Sequence, residues 1–229
     1  MIEVTYVDHM GSDLSVVNAA RVSFGKKSDW MPRVHNGEQL VLTPKDAKLI
    51  SYLAKHEHKS PFNHAFATFH IKAPIFVARQ LQKHEYMPWN EISRRYVDSE
   101  PEFYQPDTWR GRSSDKKQGS EGEIDMVDIN GRFPLPPRAV QTLSDGKTLE
   151  AYRNLIDAGV APEQARMVLP QSMMTEWYWS GSLHAFAKMC GLRLKPDTQY
   201  ETRLVAEQIE DKMAELFPES WTALRAYAE

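Results

Sequence analysis

Apolar and polar positions alternate in "IEVTYV" (residues 2–7) and again in "HAFATFHIKA" (His64 to Ala73), and the pattern predicts two strands. The second strand sets Phe66, Thr68, His70 and Lys72 on one face and Ala65, Ala67, Phe69 and Ile71 on the other. Elsewhere the period is helical. "TPKDAKLISYLAKH" opens with Thr43 as N-cap, Pro44 in the first helical position and Asp46 in the first turn, and Leu49, Ile50 and Leu53 recur along one side. Pro74 starts a helix through "IFVARQLQKH", which continues the face carrying Gln80 to Lys83, His84 and Met87. Leu149, Tyr152, Leu155 and Ile156 stripe another helix that Gly159 ends, Pro162 starts "PEQARMVL", and Val205, Ile209, Met213 and Leu216 mark a last long one. These elements predict an α+β fold, a small mostly antiparallel sheet packed with several helices in a single domain over residues 1–229. The polar, Pro/Gly-rich stretch at about 105–138, cationic and then anionic, is predicted to be mobile, with a lid over a ligand as the alternative.

Composition narrows the class. A chain of 229 residues with 41% apolar content can bury one large core. The formal charge of -3 supplies no global cationic field, so no nucleic-acid partner is expected unless a local patch provides one. The longest apolar run, Ala73 to Ala78, is far too short to cross a bilayer, and "MIEVTYVDHM" lacks signal-peptide features, so no membrane partner and a cytoplasmic location are expected. The one cysteine, Cys190 in "AKMCGL", excludes an internal disulfide and a CxxC knuckle, and it is expected to pack rather than react.

Chemistry concentrates after "APIFVARQLQ". "KHEYMPWNEISRRY" offers Lys83, Ser93 and Arg95 as donors for phosphate oxygens, with the Gln80 amide and the Glu91 carboxylate for a sugar hydroxyl or a base edge. This set suits a nucleotide site, and equally a solvated, salt-bridged helix end. Arg166, ahead of Pro170, and Arg193, after Gly191, also lie at chain breaks, which favours a composite site. His56, His58 and His64 cluster in "KHEHKSPFNH", but no carboxylate or cysteine follows at ligand spacing, so no metal is expected.

These residues resemble the flavin-dependent thymidylate synthases, whose signature reads R-H-R-x-x-S-x-N-E-x-S-x-R-Y. "KHEYMPWNEISRRY" retains His84, Asn90, Glu91, Ser93, Arg95 and Tyr96 in register. "MGSDLSVVNAARVSF", "HEHKSPFNHAFATFHIKAPIFVARQ", "ARMVLPQS" and "WSGSLHAFAKMCGLRL" followed by "QYE" are similar to family segments, in family order. The resemblance implies reductive methylation of dUMP to dTMP, with methylenetetrahydrofolate giving the carbon and NADPH reducing a bound FAD. It implies that Arg193 polarises the pyrimidine, and that Gln80, Lys83, Glu91, Ser93, Arg94, Arg95 and Arg166 help to hold dUMP. It assigns His58, Ser60, Lys83, His84, Glu85, Asn90, Glu91, Ser182, His184 and Lys188 to the FAD and folate region, and it implies a homotetramer with shared active sites. Such chemistry would avoid a cysteine nucleophile, in keeping with the single Cys190. This sequence departs from the family pattern at Lys83, Glu85 and Pro88, and at Ser182 and Lys188, where Asn is common. Glu85 is therefore expected to point away from the flavin, and Lys188 to restore the lost cation. The departures keep two alternatives open: a flavin enzyme that hydroxymethylates or acts on another pyrimidine, and a non-catalytic nucleotide or single-strand binder using Arg94, Arg95, Arg110, Arg112, Lys116 and Lys117.

Overall fold

The computed structural model describes residues 1–32, 40–97, 99–114, 119–131 and 133–227. Its central sheet is antiparallel and ordered β1 (Glu3–Met10), β4 (Phe66–Pro74), β8 (Met174–Ser182), β5 (Trp89–Glu91). The alternation along β4 buries Ala67, Phe69, Ile71 and Ala73 and leaves Phe66, Thr68, His70 and Lys72 half-covered, as the sequence pattern requires. In register across β8, Phe69 faces Trp179 and Ile71 faces Trp177, so one face of the sheet is a continuous aromatic and aliphatic layer. β8 carries no clean alternation in the sequence because Trp177, Tyr178 and Trp179 are all large aromatics. Its pleat nevertheless buries Trp177 and Trp179 and exposes half of Tyr178.

Helices cover that face. α1 (Asp13–Arg21) and α2 (Pro44–Lys55) flank one end, α6 (Leu183–Arg193), α7 (Tyr200–Leu216) and α8 (Pro218–Ala226) form the main layer, and α3 (Ile75–Leu81), α4 (Pro137–Asp157) and the short α5 (Pro162–Ala165) complete the set. Phe186 of α6 meets Phe69 edge-on at 5.2 Å and Trp179 at 5.5 Å between ring centroids, and Val205, Ile209 and Met213 of α7 are fully buried. Two small hairpins lie outside the sheet, β2 (Met31–Pro32) with β3 (Leu40–Val41) and β6 (Arg110–Arg112) with β7 (Ser120–Glu123).

Three local expectations need correction. α3 stops at Leu81 instead of running through His84: Pro74 is its N-cap, the His84 amide turns back onto the Leu81 carbonyl, and Tyr86 adopts a left-handed φ of 59°. Lys83 is consequently exposed and shares no helix face with Gln80. The Pro162 helix is likewise a single turn followed by a 3-10 turn at Arg166–Val168. The 105–138 stretch, finally, holds the β6–β7 hairpin, a bridge between Val127 and Leu135, and the first turn of α4; Lys116 and Lys117 lie outside the described residues.

Candidate functional site

Three chain breaks converge at one end of the sheet: the end of α3, the end of α6 and the start of α7. Arg193, the last residue of α6, donates through Nη2 to the backbone carbonyl of Gln80 at 3.0 Å and through Nε to Nε2 of His84 at 3.1 Å. An accepting Nε2 puts the His84 proton on Nδ1 and keeps the ring neutral. Burial, reinforced by the Arg193 and Lys188 charges, holds the His84 pKa down at about 4, and burial also lowers that of Arg193. Two edges of the Arg193 guanidinium are thus fixed by the protein, and among the described residues its remaining donors have no hydrogen-bond partner.

The Gln80 side chain is fixed as well. Its Nε2 donates to Oε1 of Gln199, its Oε1 accepts from the Thr202 hydroxyl at 3.0 Å, and Gln199 Nε2 lies 3.5 Å from Oε2 of Glu201. Glu201 is buried and takes Arg110 Nη2 on its other oxygen at 2.5 Å. Gln199, Thr202, Glu201 and Arg110 form a support for Gln80 that the sequence reading did not assign. One signal was available: Glu201 precedes Val205, Ile209 and Met213 at four-residue steps, so a carboxylate lies on the apolar stripe of α7, where it requires a partner.

The remaining residues of the "KHEYMPWNEISRRY" stretch lie on the chain beyond α3. Glu91 on β5 accepts from Thr175 Oγ1 at 2.8 Å, Trp89 Nε1 at 3.2 Å and Arg79 Nη1 at 3.3 Å. Ser93 Oγ accepts from the Arg95 amide at 3.3 Å, the exposed Arg95 guanidinium sits 5.0 Å from the Tyr96 ring, and Arg94 donates to the Ser99 carbonyl. Asn90 and Glu85 are exposed. Among the described residues the Arg166 guanidinium bonds the carbonyl of Glu163 and makes no hydrogen bond to Gln80 or Arg193.

On the other side of α6 a cleft of about 720 Å³ is lined by His58, Lys59, His184 and Lys188, with Phe62 and Leu53 as apolar wall. Burial, then Lys59 and Lys188, depress the His184 pKa. The Lys188 charge is therefore felt by both His84 and His184, which links the cleft to the Arg193 cluster. Ser60 is exposed at the adjoining 3-10 turn. Ser182 is buried, caps α6 by accepting from the Ala185 amide at 3.2 Å, and donates to Asn63 at 2.7 Å. Glu85 does not line this cleft. Among the described residues no group of three or more His, Cys, Asp or Glu is arranged to hold a metal ion, and no helix is long and apolar enough to cross a membrane.

Residues 5–219 match the family model described as "Thymidylate synthase complementing protein" (Thy1). The chain belongs to this family. It is 42% identical over 224 residues to a flavin-dependent thymidylate synthase of Thermus thermophilus, spanning 98% of this chain and 76% of that protein. Against the flavin-dependent thymidylate synthase of Kosmotoga olearia it is 39% identical over 204 residues, 89% of this chain and 81% of the relative. A crystal structure of the UMP/dUMP methylase PolB from Streptomyces cacaoi, bound with 5-Br dUMP, superposes with a TM-score of 0.81 at 33% identity and covers 100% of this chain and 96% of its own.

Proposed function

We propose that the protein is a flavin-dependent thymidylate synthase that methylates dUMP reductively to dTMP, with FAD bound and with methylenetetrahydrofolate and NADPH as co-substrates. The observation that carries this reading is the placement of Arg193 against Gln80 and His84 in a chain whose one cysteine is fully buried. Without a thiolate to add to the ring, C5 of the pyrimidine gains nucleophilic character only if charge building on its carbonyl edge is stabilised. A guanidinium with two edges already fixed is preorganised for that task. Gln80 offers its amide to the same edge, while Glu91, Ser93, Arg94 and Arg95, with Lys83 at the rim, hold the sugar and phosphate. Arg166, exposed and bonded to the Glu163 carbonyl of its own chain, fits the phosphate of a neighbouring subunit's site, which is the reason for proposing a homotetramer with shared sites.

The cleft beside α6 suits FAD: the Lys59 and Lys188 cations match a diphosphate, His58 and His184 add hydrogen-bonding ring nitrogens, and Phe62 and Leu53 give an apolar surface for a ring. Bound there, the flavin would supply the hydride for reduction. His84, Glu85, Asn90, Glu91, Ser60 and Ser182 border this region in the proposal, with Ser182 acting by capping α6 and Glu85 kept in solvent, where its charge costs little. Incubating purified protein with FAD, NADPH, methylenetetrahydrofolate and dUMP tests the reading, with dTMP as the expected product; a protein that takes up no flavin and forms no dTMP refutes it. A second reading, acceptance of UMP beside dUMP, is favoured by the likeness to the UMP/dUMP methylase at 33% identity, and a parallel incubation with UMP decides it.

A further inference from the structure

The support under Gln80 has a direction. A carboxylate can only accept hydrogen bonds, and Glu201, held by Arg110 Nη2 at 2.5 Å, is a carboxylate paired with a guanidinium. Gln199 therefore turns its NH2 toward Glu201 and its oxygen toward Gln80. Gln80 must in turn present its NH2 to Gln199 and its oxygen to the Thr202 hydroxyl. Reversing either amide would set oxygen against oxygen or NH2 against NH2 where half-buried Gln80 and Gln199 meet, beside a Thr202 that is 0% and a Glu201 that is 4% exposed. Arg110 is itself held from outside: its Nε donates to Ser120 Oγ at 2.9 Å across the β6–β7 hairpin, and its guanidinium lies 4.5 Å from the Tyr200 ring.

We propose that the Arg110–Glu201–Gln199 relay fixes the sense of the Gln80 amide, so that Glu201 and Arg110 act as positioning residues that set preference for a uracil over a cytosine base. This deepens the proposed reading of the site and rests on it. The two pyrimidines differ where a polarised amide can tell them apart: uracil carries a carbonyl acceptor at position 4 and a protonated N3, and cytosine carries an amino donor and a bare N3. A Gln80 free to flip would accept either. The β6–β7 hairpin thereby contributes to base choice without touching the ligand.

The test uses the full chain with FAD and three variants, Glu201→Gln, Arg110→Gln and Arg110→Lys. It measures the Kd of dUMP and dCMP by competition, and kcat and KM with dUMP. Glu201→Gln is isosteric but can offer either oxygen or NH2 to Gln199. It is expected to raise the Kd and KM of dUMP roughly tenfold, to change kcat much less, and to narrow the dUMP to dCMP preference by a similar factor. Arg110→Gln lies on the partly exposed hairpin, leaves every buried core side chain in place, and should act in the same direction. Arg110→Lys, which keeps the charge against Glu201, should recover much of the preference. An unchanged preference in both Gln variants overturns the relay, as does a fall in kcat at constant KM, or an equal loss of dUMP and dCMP binding with a lowered unfolding midpoint. Wild-type protein that binds dCMP as well as dUMP, or neither, overturns the uracil reading itself, and the wild-type arm reports that outcome separately.

Discussion

Arg193 and His84 fix each other's protonation: the Arg193 Nε proton points at His84 Nε2 over 3.1 Å, so the imidazole must stay neutral while the guanidinium stays charged. Burial first, then the charges of Arg193 and Lys188, bring the His84 pKa to about 4 from an ordinary 6.5. The folded value lies below the unfolded one, so the unfolded chain takes up the proton first, and this contribution to stability is complete above the unfolded value and is lost as pH falls through the folded one. An NMR titration of the His84 ring should give a midpoint near 4 in the wild-type protein, and Arg193→Met should move it upward. A wild-type midpoint at the ordinary value would contradict the geometry.

Arg193→Ala should abolish exchange of the dUMP C5 proton with solvent and lower kcat by about two to three orders of magnitude, the scale for removing a preorganised donor at a developing charge. Arg193→Lys should not rescue it, because an ammonium cannot hold the Gln80 carbonyl and His84 together and still face a ligand. Deuterium washout from labelled dUMP is the measurement, and retained exchange in either variant removes Arg193 from its role.

Lys188 stands in the cleft that suits FAD and is felt electrostatically at His84 and His184. Lys188→Ala should weaken FAD binding by roughly tenfold, the scale of one charge-assisted hydrogen bond, and should raise the pKa of both histidines. Flavin fluorescence quenching reads the first effect and the ring titrations read the second.

The Asp46 carboxylate anchors the N-terminal part of the chain. Burial works against its charge, yet hydrogen bonds from Arg21, Thr43 and Ser28 together with the Arg21 charge outweigh burial and leave its pKa below the ordinary 3.8. Its stabilising effect is present above the unfolded value and lost as pH falls through the folded one. Asp46→Ala strands the largely buried Arg21 and should cost about 3–5 kcal/mol in denaturant unfolding at neutral pH. The variant should also lack the part of the acid-induced loss of stability that Asp46 contributes below about pH 4.

Local chemistry was legible in the sequence, and long-range closure was not. The alternation of β4 and the Thr43 cap with Pro44 and Asp46 are written within a few residues and appear as read. The end of α3 is not local: Gln82, Lys83 and His84 tolerate a helix, and it is the burial of Met87 and the left-handed Tyr86 that turn the chain. The β6–β7 hairpin has no hydrophobic period to reveal it, and its tie to α7 runs through Arg110 reaching a residue 91 positions away. Gln80, His84 and Arg193 could each be singled out by type and by nearness to chain breaks, but spacing gives no hint that 113 positions close to 3.0 Å. Gln199 and Thr202 were missed because a half-buried amide and a buried hydroxyl carry no period and no charge.

Cys190 is 0% exposed, its Sγ is 3.7 Å from the Ala206 carbonyl, and burial raises its pKa well above the usual thiol value. The native molecule is therefore chemically silent toward maleimides and iodoacetamide. A cysteine introduced on the outer surface, on the β6–β7 hairpin for instance, would be the sole labelling point for a dye or spin probe, and its motion could be followed without first removing any natural residue.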